Sequence, residues 1–174
     1  MKILLALVLF FSISVFANEM TAHQFIDGKL NINMPTELDE MSDTILKKRY
    51  GEQKLPPQAA FSNKDHTVTF TVTQYPMQAD KKSMRRIHNS LSKMLRSAHP
   101  KAKWKKDKVY NNSNTRMAVF EYEIQSVGQY HYYITYALPV NNTLIMLSFL
   151  TTDKKYKTKW VKLARETFDT ITIQ

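Results

Sequence analysis

The sequence predicts an α+β fold in which an antiparallel sheet is sandwiched by helices, and three observations carry that expectation. Residues His66 to Gln74, HTVTFTVTQ, alternate strictly: Val68, Phe70 and Val72 share one face and threonines the other, the period of a strand with one side on a core. Leu144 to Leu150 is apolar on both faces except at Ser148, so that strand needs cover on both. Two stretches repeat apolar residues at three- and four-residue intervals, Met84, Ile87, Leu91, Met94, Leu95 and Ala98 in one, Tyr156, Trp160, Leu163, Ala164, Phe168 and Ile171 in the other. Each set falls on one helical face, and the two helices supply the cover.

Taken in order, Met1 and Lys2 form a short positive start, Ile3 to Phe16 is almost wholly apolar, and Val15-Phe16-Ala17 carries a signal-peptidase pattern. The apolar run is shorter than the about 20 residues that span a bilayer, so residues 1–17 are expected to be a signal peptide cleaved after Ala17. No cysteine stands near that point, or anywhere in the chain. The expected product is a soluble periplasmic or secreted protein, residues 18–174, folding as one domain on a hydrophobic core without disulfides.

Asp27-Gly28 predicts a tight hairpin turn within Gln24 to Met34. A short helix follows at Asp43 to Tyr50, closed by Gly51 in a left-handed conformation. After the alternating strand, the first long helix is expected to start near Ala79 or Asp80 and to end before Pro100. Strands are expected at about 104–110, 116–126, 129–138 and 143–151, joined by turns at Asn111-Asn112-Ser113-Asn114, Val127-Gly128 and Asn141-Asn142. The last helix takes Asp153 as its N-cap.

This order of elements is similar to the PsbP-like superfamily, which includes the DcrB-like proteins. The similarity is carried by the hairpin QFIDGKLNINMP, a short helix ending KRYG, PPQAAFSNKDHTVTFTVTQYP, a long helix, a strand meander and a final KWVKLARETFDTITI. It covers about residues 24–174. The resemblance implies an α/β/α sandwich used as a binding module, in envelope proteins and in adaptor or immunity proteins linked to secretion systems. It implies no catalytic residues.

Charge is concentrated in one segment. Residues 79–108 carry 11 basic and 2 acidic side chains, whereas residues 18–78 carry 6 and 8, and residues 109–174 carry 7 and 5. Lys82, Arg86, Lys93 and Arg96 follow the helical period about half a turn from the apolar stripe. KAKWKKDK, residues 101–108, extends the charge through Lys101, Lys103, Lys105, Lys106 and Lys108, with Trp104 as an aromatic anchor. These ten residues form the candidate partner-binding site. An acidic protein partner suits it, with a polyanionic envelope surface, lipopolysaccharide or anionic phospholipid, as the alternative. Trp104 is alone among the aromatics of the basic segment, where stacking platforms need several exposed rings, and a periplasmic location also argues against nucleic acid. A third reading, that the cations only solvate a helix, stays open.

Catalytic signals are absent from the sequence. The glycines Gly28, Gly51 and Gly128 fall in turns or caps, so no phosphate-cradling loop forms, and no H-E-x-x-H or G-x-S-x-G motif is present. His23, His66, His88, His99 and His131 are scattered without carboxylate spacing, and Glu121 and Glu123 read as a solvated strand face opposite lysines. The expectation is a non-enzymatic protein without cofactor or metal.

Overall fold

The computed structural model describes residues 19–111 and 115–174; the expected signal peptide and Asn112 to Asn114 of one expected turn lie outside the described residues. The elements run β1 (Met20–Phe25), β2 (Leu30–Pro35), β3 (Asp39–Glu40), α1 (Asp43–Tyr50), β4 (Ala59–Ser62), β5 (Val68–Gln78), α2 (Met84–Ala98), β6 (Lys103–Asn111), β7 (Arg116–Ser126), β8 (Gln129–Val140), β9 (Thr143–Thr151), α3 (Lys157–Asp169) and β10 (Thr172–Ile173). Seven strands form one antiparallel sheet in the order β3-β4-β5-β9-β8-β7-β6, and β1-β2-β10 form a second, smaller one.

The large sheet is covered on both faces, as the doubly apolar β9 requires. On one face Val68, Phe70 and Val72 of β5 and Ile145, Leu147 and Phe149 of β9 join Trp160, Leu163, Ala164 and Phe168 of α3 with Leu30, Ile32 and Met34 of the small sheet. On the other, Met84, Ile87 and Leu91 of α2 pack on Ala118, Phe120 and Tyr122 of β7, Ala137 of β8, and Leu144 and Met146 of β9. The architecture is an α/β/α sandwich, the arrangement that the resemblance implies.

Several local expectations are corrected. The first hairpin closes through four residues rather than two: Phe25 pairs with Leu30, and Ile26, Asp27 and Gly28 all have positive φ, with Lys29 N donating to Ile26 O at 3.0 Å. Gly51 is right-handed at φ −62°; its need for glycine is one of space, since a Cβ would lie 2.4 Å from Lys47 O. Helix α2 starts at Met84 because Asp80 and Ser83 close a turn first: Ser83 N donates to Asp80 Oδ1 at 2.7 Å and Asp80 N donates to Ser83 Oγ at 2.9 Å. Lys82 therefore sits in that turn, ahead of the helix. Asp153 acts just outside α3, accepting from Tyr156 N at 2.9 Å and from the Trp160 indole at 3.3 Å. Met94, Ala98 and Tyr156, expected on buried stripes, are exposed. The turns at Gly128 and at Asn141-Asn142 form as expected, with positive φ at all three residues.

Candidate docking surface

Helix α2 is fastened to the sheet margin by one carboxylate. Asp107 of β6 accepts from Ser92 Oγ at 2.7 Å and from Arg96 Nε and Nη2 at 2.8 and 2.6 Å, while its other oxygen lies 2.8 Å from His88 Nε2. Burial pushes the Asp107 carboxyl up, but the hydrogen bonds from Ser92 and Arg96 and the charges of Arg96 and His88 outweigh it and hold it below the usual carboxylate range. His88 thus meets a carboxylate through the fold, contrary to the sequence reading. Ser92 and His88 both turn to Asp107 rather than to each other, an arrangement that locks a helix and lacks the serine–histidine bond of a nucleophilic site. The His88 ring also stacks on Phe120, centroids 5.3 Å apart.

The lysine-rich stretch is an edge strand. Its register shifts between Trp104 and Lys106, a bulge that lets Trp104 and Asp107 both turn toward α2, which an unbroken alternation would forbid. Trp104 packs on Tyr122, centroids 4.6 Å apart, beneath the Arg96 guanidinium at 4.3 Å. It is an internal anchor rather than a side chain held out for a partner. Lys106 turns to the opposite face, where its ammonium lies 3.3 Å from Glu121 Oε2, and Lys108 lies over the Tyr110 ring at 4.3 Å.

The remaining candidates stay on the outside. Lys82, Arg86, Lys93, Lys101, Lys103 and Lys105 are exposed, and none makes an ion pair among the described residues. Arg86 and Lys93 are on the outward side of α2 and Lys82 is in the turn ahead of it, with a shallow depression beside Lys93 lined by Asn89, Ser92, Arg96 and Ser97. Met94, which follows Lys93 in the chain, is 52% exposed. A cationic surface with one large apolar side chain in it can hold an acidic partner by charge and seat an apolar contact at the same time.

Glu121 is the functional-looking residue that the sequence reading misplaced. Rather than solvated it is 1% exposed, accepting from the Tyr132 hydroxyl and, at 2.6 Å, from Arg165 Nη2 of α3, with Lys106 beside its other oxygen. Burial raises its pKa, but the hydrogen bonds from Tyr132 and Arg165 and the charges of Arg165 and Lys106 bring it below the usual range. Burial and the bond to Glu121 raise that of Tyr132. The facing cations were legible in the sequence, since Lys106 is the cross-strand neighbour of Glu121. The covering helix was not.

No group of three histidine, aspartate or glutamate side chains comes together at metal-holding spacing among the described residues, and no described helix is long and apolar enough to cross a membrane.

No protein-family profile matches the chain, and no curated protein matches it in sequence. Solved structures do. The solution structure of the cyanobacterial PsbP protein CyanoP from Synechocystis superposes with a TM-score of 0.64 at 9% sequence identity, over 92% of this chain and 96% of that one. A crystal structure from Bacteroides thetaiotaomicron superposes with a TM-score of 0.51 at 15% identity, over 88% of this chain and 48% of that one, so this chain spans about half of that protein. At these identities the likeness is one of fold.

Proposed function

From the PsbP-like fold as premise, we propose that this chain is an exported, non-enzymatic interaction module whose basic α2 face docks an acidic protein partner in the periplasm. The observation that carries the reading is the set of exposed cations Lys82, Arg86 and Lys93, none with an ion pair among the described residues, together with the exposed Met94 that follows Lys93 in the chain. An anionic lipid would meet the same cations and take Met94 into its acyl region, so what separates a protein interface is a packed contact that charge-matched polyanions do not displace. The partner class is an envelope-complex component or a secreted protein neutralised or chaperoned by this one. Lys101, Lys103 and Lys105 extend the field along the β6 edge and steer the encounter. The localisation rests on the cleavage pattern at Ala17, and a mature N-terminus at Asn18 checks it by intact mass.

The test is capture from periplasmic extract by the mature protein, its K82E/R86E/K93E variant and its Met94→Asp variant. Both variants should fold as the wild type does and lose the partner. Added salt should weaken capture but leave a residue resistant to it, and heparin or lipopolysaccharide should compete poorly. Loss with charge reversal but not with Met94→Asp, together with steep salt dependence and free competition by heparin, would transfer the site to polyanions. Unchanged capture in both variants would remove it altogether.

A further inference from the structure

The face of the sheet opposite the basic surface holds a second candidate site. A cleft of about 350 Å³ opens between the C-terminal half of α3 and strands β6 to β8. Met117, Tyr136, Phe168 and Ile171 supply its apolar lining, and Lys106 and Arg165 its cations. We propose that this cleft binds a small amphiphile, an apolar body bearing one carboxylate, with the head held between Lys106 and Arg165.

The two cations reach Glu121 from different sides, Arg165 at Oε1 and Lys106 at Oε2, so one buried carboxylate fixes both at the edge of the same cleft. Neither is saturated. Lysine has three ammonium protons and arginine five N–H groups, against a single carboxylate contact each, and the side chains are 32% and 46% exposed. The two cations face the buried Glu121 and, at the exposed rim, Asp169, so the charges of the cleft balance, and a monoanionic head is held by the N–H donors that Lys106 and Arg165 have to spare rather than by surplus charge. The exposed Asp169 also lines the cleft and opposes a second negative charge, which sets a carboxylate above a phosphate dianion. The size lies at the low end for ligand pockets, consistent with a short chain or a single ring. Stacking of Tyr136 on Phe168, centroids 4.1 Å apart, gives the apolar part a flat, rigid wall.

The experiment titrates the mature protein with octanoate, octyl phosphate, octanol and acetate, following methyl resonances by NMR. Octanoate should shift the Met117 and Ile171 methyls saturably; octyl phosphate and octanol should bind more weakly by about tenfold or more, the loss of one charge-assisted hydrogen bond, and acetate should not saturate. The E121Q/K106M/R165M variant removes all three charges together and leaves no buried charge unpaired, and its octanoate affinity should fall to that of octanol. Asp169→Asn, at the exposed rim, should keep the fold and narrow the gap between octyl phosphate and octanoate, which serves if the triple variant does not fold. Equal affinity for octanol and octanoate, methyl shifts confined to Met94 on the basic face, or a gap unmoved by Asp169→Asn would overturn the proposal.

Discussion

Replacing Arg165 by methionine should destabilise the protein more than replacing its partner Glu121 by glutamine, although both break the same ion pair. The reason is where each charge is left. Arg165 is 46% exposed, so in Glu121→Gln its guanidinium turns into water, and the glutamine carbonyl still accepts from Tyr132. That change should cost about 1 kcal/mol, the net value of a hydrogen bond. In Arg165→Met the carboxylate stays 1% exposed and keeps only Lys106 and the Tyr132 hydroxyl. Stranding a buried charge costs about 3–5 kcal/mol; with Lys106 still in place and Arg165 itself partly screened by solvent, about 2–3 kcal/mol is expected. The pH dependence supplies a second signature. In the wild type the Glu121 pKa is depressed, so its contribution is present above the unfolded value and lost as pH falls through the lower folded value. Without Arg165 less opposes the effect of burial, which raises the pKa, so the carboxyl takes up a proton more readily and the penalty shrinks on acidification. Urea melts of both variants at pH 7 and pH 4 measure this. If Glu121→Gln costs as much as Arg165→Met at pH 7, or the penalty of Arg165→Met is the same at both pH values, the charge asymmetry argued from burial is wrong.

Trp160→Ala should cost about 3–5 kcal/mol in denaturant melts because the ring is buried against the sheet, whereas Lys159→Ala, exposed and paired with Glu37 at 3.7 Å, should cost less than about 1 kcal/mol. Leu91→Ala should cost about 2–5 kcal/mol and Met94→Ala less than about 0.5 kcal/mol; similar values for the two would show that the apolar face of α2 is wider than described. The depressed Asp107 carboxyl contributes stability above its unfolded pKa that is lost as pH falls below about 4, so Asp107→Asn should be less stable at neutral pH and lose less on acidification through that range, as acid titration by circular dichroism would register.

The strands and their faces were legible in the sequence because the period of two is a property of the backbone, whatever the neighbours. The expected 116–126 and 143–151 coincide with β7 and β9, and Val68, Phe70 and Val72 are all buried as the alternation requires. Helical stripes were legible in direction but not in width. Met94 fits the apolar repeat of α2 and yet is exposed, since its width depends on how many strands the helix lies over, and α2 packs chiefly on β6, β7 and β8. Glu121 shows the same limit from the polar side. Alternation puts it opposite Lys106, but only the position of α3 decides whether that face is wet. Among the basic candidates, Arg86 and Lys93 are where periodicity puts them, Lys82 falls in the turn ahead of the helix, and Arg96, Trp104 and Lys106 serve contacts made by residues distant in sequence, which spacing along the chain does not encode.

The lysines of KAKWKKDK have a further physical role that follows from strand order. β6 is the outermost strand of the large sheet and runs for nine residues, long enough to pair with another copy of itself. The opposite margin is β3, only two residues long and so a poor template. Lysines along an exposed edge oppose such pairing, because two antiparallel copies would set their cations against one another. Lys103, Lys105 and Lys108 are exposed on β6, and the bulge at Lys105 bends the edge as well. A K103T/K105V/K108T variant should therefore keep the melting behaviour of the wild type, since none of the three makes an ion pair among the described residues, but associate as concentration rises. Sedimentation velocity over a hundredfold concentration range reads the result. The same variant retains Lys82, Arg86, Lys93 and Met94, so partner capture at low concentration should survive with a slower on-rate, separating protection of the edge from docking on the helix. A variant with the same association behaviour as the wild type at every concentration would leave the edge protected by the bulge alone and the lysines free of that role.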